Sequence, residues 1–185
     1  RSPLDTDLLI RASNKADELQ DIRFFIGRYQ GLRKEDYCGL RWCDIDMSKE
    51  VIHLRRYDWQ GQRRNLKLKE GGERTIPIHS ELLWRINKYL PMATKQNDTT
   101  PIWKDDYKSK LECWGARWAE RFKDRYGFGS HDLRSYVVTQ MMKSNINPFF
   151  LHAITGHKVP GTSSVVLGYV RPTVSEVRKV LELLE

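Results

Sequence analysis

Three short segments of the 185-residue chain set cations or imidazoles beside a turn: Gly31-Leu32-Arg33-Lys34-Glu35-Asp36, His131-Asp132-Leu133-Arg134 and Thr155-Gly156-His157. Tyr169 follows the last of them by twelve residues, and Lys69 lies between the first two, five residues before Arg74. Guanidiniums grip oxyanions through a planar fork of donors. Imidazoles move protons near neutral pH. A phenol, with a pKa near 10, becomes a nucleophile when cations stand close and a base takes its proton. Such a set suits chemistry on an anionic ester. Singly, each residue also has an ordinary reading. Arg33 at a helix start is a surface charge, and His131 and Arg134, at i and i+3, share a solvated helix face. His157 caps or packs, Lys69 ends a strand in solvent, and Tyr169 packs. Their joint occurrence in this order is what points to a site.

The pattern of the chain supplies elements to carry these residues. Asp5 can cap a first helix, and a second runs from about Ala16 to Tyr29, with Leu19, Ile22, Phe25, Ile26 and Tyr29 at helical spacing. Gly31 ends it. A helix from about Lys34 to Leu40 leads through Trp42 to a short acidic turn, Asp44 to Asp46. The period then changes to two. Val51 to Tyr57, Arg64 to Lys69 and Arg74 to His79 read as three antiparallel strands, with turns at Asp58 to Gln62 and at Glu70-Gly71-Gly72-Glu73. Pro77 puts the third strand at an edge. Helices resume over Glu81 to Leu90, where Pro91 stops the run, and then along the stripe Leu111, Trp114, Trp118 and Phe122, which reads as core. Another helix begins near Ser130, a plausible cap. Asn147-Pro148 opens the next and Gly156 closes it. Pro172-Thr173 opens a final helix whose stripe is Val174, Val177, Leu181 and Leu184. The fold class is therefore α+β and mostly helical, with helices around a small three-stranded antiparallel sheet.

Composition narrows the classes of function. The net charge is +8 and the sequence pI about 9.4, which favours an anionic partner such as nucleic acid. Mean hydropathy is −0.64, and no apolar run approaches the roughly 18 residues of a membrane span. The first residues lack the pattern of a signal peptide, and the absence of an initiator Met suggests a piece of a longer protein. Three cysteines, Cys38, Cys43 and Cys113, fit a reducing compartment and do not match a zinc pattern. No metal or other cofactor is expected.

In order, the segments resemble the catalytic domain of the phage-integrase family of tyrosine recombinases, from about Leu8 to Tyr169. GLRKED resembles the family's first-arginine motif, which gives that role to Arg33 and a supporting role to Asp36. KEGGERTIPI resembles the sheet-turn lysine segment and assigns Lys69. HDLR matches the His-x-x-Arg motif and assigns His131 and Arg134. TGH resembles the Leu-Gly-His motif, with Thr155 in place of leucine, and assigns His157. Tyr169 falls where the nucleophile should fall, although the stretch from His157 is lengthened by Val159-Pro160-Gly161-Thr162. Tyr136 is the nearest rival phenol, but two residues past Arg134 inside a helix it reads as core.

The resemblance implies a catalytic domain over residues 1–170, a C-terminal tail helix over 171–185, and N-terminal DNA-binding domains beyond this chain. It implies a site-specific recombinase or integrase of a phage or other mobile element, acting without metal or ATP. Arg33 and Arg134 would clamp the non-bridging oxygens and His157 would donate to them. His131 would take the phenolic proton and Lys69 would protonate the leaving 5′ oxygen. The implied partners are a double-stranded recombination site and a homotetramer, with Val177, Leu181 and Leu184 docking on a neighbour; packing of the same stripe in cis is the alternative. Accessory DNA-bending or directionality proteins and a place with DNA in a bacterial cytoplasm also follow. The alternatives are a basic DNA-binding module and a type IB topoisomerase-like enzyme.

Overall fold

The computed structural model describes residues 4–59, 62–65, 73–90, 116–157 and 171–184. The first helix, α1 (Thr6–Glu18), is capped by the Asp5 carboxylate on the Asp7 amide. Helix α2 (Ile22–Gln30) follows after a break, so the single helix expected from Ala16 to Tyr29 is in fact two. The break has a cause. Gln20 takes a left-handed φ of 52°, and Asp21 is buried as acceptor of the Tyr126 hydroxyl at 2.8 Å. Leu19, counted on the apolar stripe, is about half exposed as a result. Helix α2 supplies the centre of the core. Phe24, Phe25 and Ile26 are fully buried, each contributing about 1.5–3 kcal/mol, and Phe24 packs with Phe122, Tyr126 and Phe128.

A short helix α3 (Lys34–Cys38) and a 3-10 turn (Trp42–Asp44) lead to strand β1 (Ile45–Asp46). Four strands follow: β2 (Val51–Leu54), β3 (Arg56–Trp59), β4 (Gln62–Asn65) and β5 (Arg74–Pro77). The three-stranded antiparallel sheet has the order β1-β2-β5, with Ile45 opposite Ile52 and Ile52 opposite Ile76. Its membership differs from the expectation. The first expected strand divides at Arg55, and its second half pairs with β4 in a separate ribbon, Arg56 opposite Asn65. The third strand is Ile45–Asp46, which reads from sequence as an acidic turn; Asp46 makes that turn by accepting from Ser48 and the Lys49 amide, and Ile45 is buried beneath it. Pro77 lies on edge strand β5 as expected.

Among the described residues the remaining helices are α4 (Ser80–Tyr89), α5 (Ala116–Tyr126), α6 (Ser130–Lys143), α7 (Pro148–Thr155) and α8 (Val174–Leu181). Helix α6 is capped from Gly129, one residue before the expected Ser130, and the Asp132 carboxylate reaches back to the Gly129 amide at 2.8 Å. Tyr136 packs against the main core, as its position suggested.

Helix α8 takes the cis alternative of its two expected uses. Val177, Leu181 and Leu184, expected to dock on a neighbour, are buried in this same chain against Val137, Met141 and Ile154. Polar contacts fasten it. Arg178 pairs with Glu50 at 2.8 Å, Glu182 accepts from the Ser80 amide and hydroxyl at 2.9 and 2.6 Å, and His79 Nε2 donates to the Leu184 carbonyl at 3.1 Å. The stripe is filled in cis because α6 and α7 present a matching apolar face.

Candidate active site

The site begins at the turn that ends α2. Gly31 stands at φ 57°, and a β-carbon there would lie 2.9 Å from Val137 Cγ1, so only glycine fits. The turn aims the Gly31 carbonyl at α6, where Arg134 Nη1 donates to it at 2.7 Å. It also starts α3. The Asp36 amide donates to the Arg33 carbonyl at 2.9 Å, and the Arg33 amide faces the Asp36 carboxylate at 3.4 Å. Arg33 is thereby held by its backbone with a half-buried side chain.

Arg134 is 2% exposed. Besides Gly31 its partners are the Thr155 carbonyl, at 2.8 Å from Nη2, and His157 Nδ1, at 3.0 Å. Among the described residues it has no carboxylate partner. Burial, then Arg33, lowers its pKa to about 10, which leaves it charged at neutral pH. Arg134 Nη2 also faces His157 Nε2 at 3.4 Å; arginine has only donors, so the ring meets it as an acceptor and is neutral there.

His157 follows Gly156, which ends α7 at φ 71°. The Thr155 hydroxyl lies 2.8 Å from Nδ1 and 2.6 Å from the Leu151 carbonyl. His152 Nδ1 donates to the His157 carbonyl at 2.6 Å, which fixes the turn from behind. Burial lowers the His157 pKa, and Arg134, Arg33, His131 and Arg74 push it further, to about 4. His131, exposed one turn before Arg134, thus belongs to the same field.

Sequence reading missed one member. Arg74, at the start of β5, donates from Nη2 to Asp36 at 3.0 Å and from Nε to the Ile154 carbonyl at 3.3 Å. Its Nη1 is buried without a partner among the described residues. Burial lowers its pKa, and Asp36 works against that shift. A β-carbon at Gly156 would stand 3.2 Å from the guanidinium, so glycine lets the α7 turn lie on it. A signal existed. On a strand of period two, Arg74 has the parity of Ile76, which is fully buried, and a cation on that parity requires a buried acceptor.

The structure therefore gathers Arg33, Asp36, His131, Arg134 and His157, with Thr155 and Arg74 beside them. Lys69 and Tyr169 lie outside the described residues, and so do Leu111 and Trp114 of the expected stripe. No group of three or more metal-ligating side chains occurs among the described residues, and none of their helices is long and apolar enough to cross a membrane. Buried fork donors, a neutral imidazole and an excess of positive charge can bind an oxyanion and stabilise charge that grows on it.

The model of the phage integrase family matches residues 6–172, and the chain belongs to that family. It is 22% identical over 186 residues to tyrosine recombinase XerA of Pyrococcus horikoshii, covering 97% of this chain and 60% of that protein. XerA of Pyrococcus furiosus is 25% identical over 158 residues, covering 82% of this chain and 50% of the relative. The chain thus spans 50 to 60% of the length of these two relatives. Among solved structures, the integrase of mycobacterium phage Brujita aligns with a TM-score of 0.64 at 14% identity, covering 100% of this chain and 58% of that one. The Tn1549 transposon integrase in complex with a circular intermediate DNA aligns at 0.61 and 19%, covering 99% and 66%. A lambda integrase tetramer bound to a Holliday junction aligns at 0.52 and 17%, covering 88% and 48%.

Proposed function

We propose that this chain is the catalytic domain of a site-specific DNA recombinase that cuts and rejoins strands through a phosphotyrosyl intermediate, integrating or excising a mobile element. The observation that carries the reading is the convergence of Arg33, Arg74 and Arg134 on His157, with Arg134 bonded only to carbonyls and an imidazole among the described residues. An anion is the missing partner of such a set. A phosphodiester fits, because charge grows on its non-bridging oxygens as the phosphorus is attacked.

Tyr169 is the proposed nucleophile. Its Oη bonds to phosphorus while the bond to the 5′ oxygen breaks, which leaves a 3′-phosphotyrosine. His131 takes the phenolic proton and Lys69 returns one to the 5′ oxygen. Arg33 and Arg134 clamp the two non-bridging oxygens, and the ring N–H of His157 donates to one of them. The ester energy is conserved, so a second strand's 5′ hydroxyl reverses the step. Residues 1–170 are proposed as the catalytic unit and 171–185 as the tail. The partners are a duplex recombination site, a tetramer of this protein and accessory bending or directionality proteins, with the protein located on DNA in its host cell. For the tail to dock on a neighbour, it would first have to leave the contacts with Glu50, Ser80 and His79.

The test is covalent trapping. The full-length protein is mixed with nicked suicide duplexes drawn from the DNA flanking its own gene. A denaturation-resistant adduct mapping to Tyr169, absent in Tyr169→Phe, is expected. Salt-dependent binding without any adduct would overturn the enzyme in favour of a binding module. Relaxation of supercoiled DNA without strand exchange would replace the recombinase with a topoisomerase.

A further inference from the structure

Arg74 is an uneconomical way to stabilise a fold. Its side chain is buried, it has one carboxylate partner, and among the described residues one of its nitrogens has no partner. Replacing a buried ion pair with apolar groups of similar size is often neutral or stabilising. The residue's distinctive property is its reach. From strand β5 it binds Asp36, which orders the start of α3 around the Arg33 amide, and it binds the Ile154 carbonyl in the last turn of α7. One residue further on, the Thr155 carbonyl receives Arg134, and then Gly156 turns the chain onto the guanidinium and into His157. The segments that carry Arg33 and His157, residues 124 positions apart in the sequence, are bridged by this side chain through Asp36 and the Ile154 carbonyl.

We propose that Arg74 is a positioning residue of the phosphoryl-transfer site, holding the loop that carries Arg33 and the turn that carries His157 at a fixed separation. The inference rests on the recombinase reading for its chemistry, and its geometry can be checked apart from that reading. A lysine can pair with Asp36, but as a point charge it cannot bind the Ile154 carbonyl through a second nitrogen in the same plane. A methionine keeps the volume and loses both bonds.

The experiment compares the full-length parent with Arg74→Lys and Arg74→Met. Both variants are expected to form the adduct on the nicked duplex about 10²-fold more slowly, with duplex binding little changed, because the loss is one of alignment. The amide signals of Arg33 and His157 in ¹H–¹⁵N spectra should shift together in both variants. The His157 ring, faced by Arg134 and His131 of α6, Arg33 before α3, His152 of α7 and Arg74 itself, should titrate at higher pH in Arg74→Met and as in the parent in Arg74→Lys. Parental adduct rates in both variants would overturn the proposal, as would losses that match the unfolded fraction in thermal melts. If the parent itself forms no adduct, the recombinase reading fails; the paired amide shifts still support the positioning role, and unmoved amides overturn it.

Discussion

Arg85 and Arg134 are both buried guanidiniums on helices, and their surroundings differ. Arg85 forks onto Asp17 with bonds of 2.8 and 2.9 Å, adds the Glu81 carboxylate at 2.8 Å, and lies over the Phe25 ring at 4.1 Å. Burial pulls its pKa down, but the bonds to Asp17 and Glu81 reverse this and leave it raised. Arg134 bonds two carbonyls and an imidazole, and the carboxylates of Asp36 and Glu35 act on it only from a distance, against Arg33 and Arg74. The first arrangement is complete without a ligand and serves the fold, tying α1 to α4. The second withholds a counter-charge. The proposed function draws on this deficit: a substrate anion would supply at Arg134 the counter-charge that Asp17 and Glu81 give Arg85.

The largest expected effect breaks the deficient side of this contrast. Arg134→Lys removes the fork that spans Gly31 and Thr155, and adduct formation in single-turnover assays should fall about 10²–10³-fold, the usual effect of losing a preorganised donor. Retention of the parental rate would show that Arg134 serves only the fold. A smaller effect should follow from breaking the complete side. Asp17→Ala leaves Arg85 short of its main partner, and urea denaturation should show a loss of about 2–3 kcal/mol, at the low end for a buried pair because Asp17 is partly exposed. The adduct rate per folded molecule should not change. The smallest effect concerns Thr155. Thr155→Val keeps the shape and removes the hydroxyl beside His157 Nδ1, so the adduct rate should fall about two- to fivefold while Thr155→Ser keeps it. Equal rates in all three proteins would reduce the hydroxyl to a bond within α7.

Much of the site is legible in the sequence because local rules place it. Gly31 and Gly156 mark the two left-handed turns, and the i, i+3 spacing puts His131 and Arg134 on one face of α6. Asp36 is three residues from Arg33, so its support of that loop is also local. Arg74 is not legible in this way, since its acceptor Asp36 is 38 residues away. The break at Gln20 depends on Asp21 meeting Tyr126 across 105 residues. Strand β1 is two residues long and shares Asp46 with a turn, so no periodicity could show it. The cis seat of α8 is a match between faces, and an amphipathic stripe alone does not say which surface will cover it.

The central claim is that cations converge on His157 in excess of Asp36, the buried carboxylate beside them. The direct test is the titration of the His157 ring in the full-length protein, free of DNA, followed by ¹H–¹⁵N correlation of its ring nitrogens. A folded pKa near 4 lies below the ordinary value of about 6.5. The unfolded chain therefore takes up the proton first, and the stability associated with the neutral ring is full above pH 6.5 and declines as the pH falls toward 4. The account predicts a ring that stays neutral from pH 8 down to pH 5. A titration midpoint at about 6.5 or higher would contradict it.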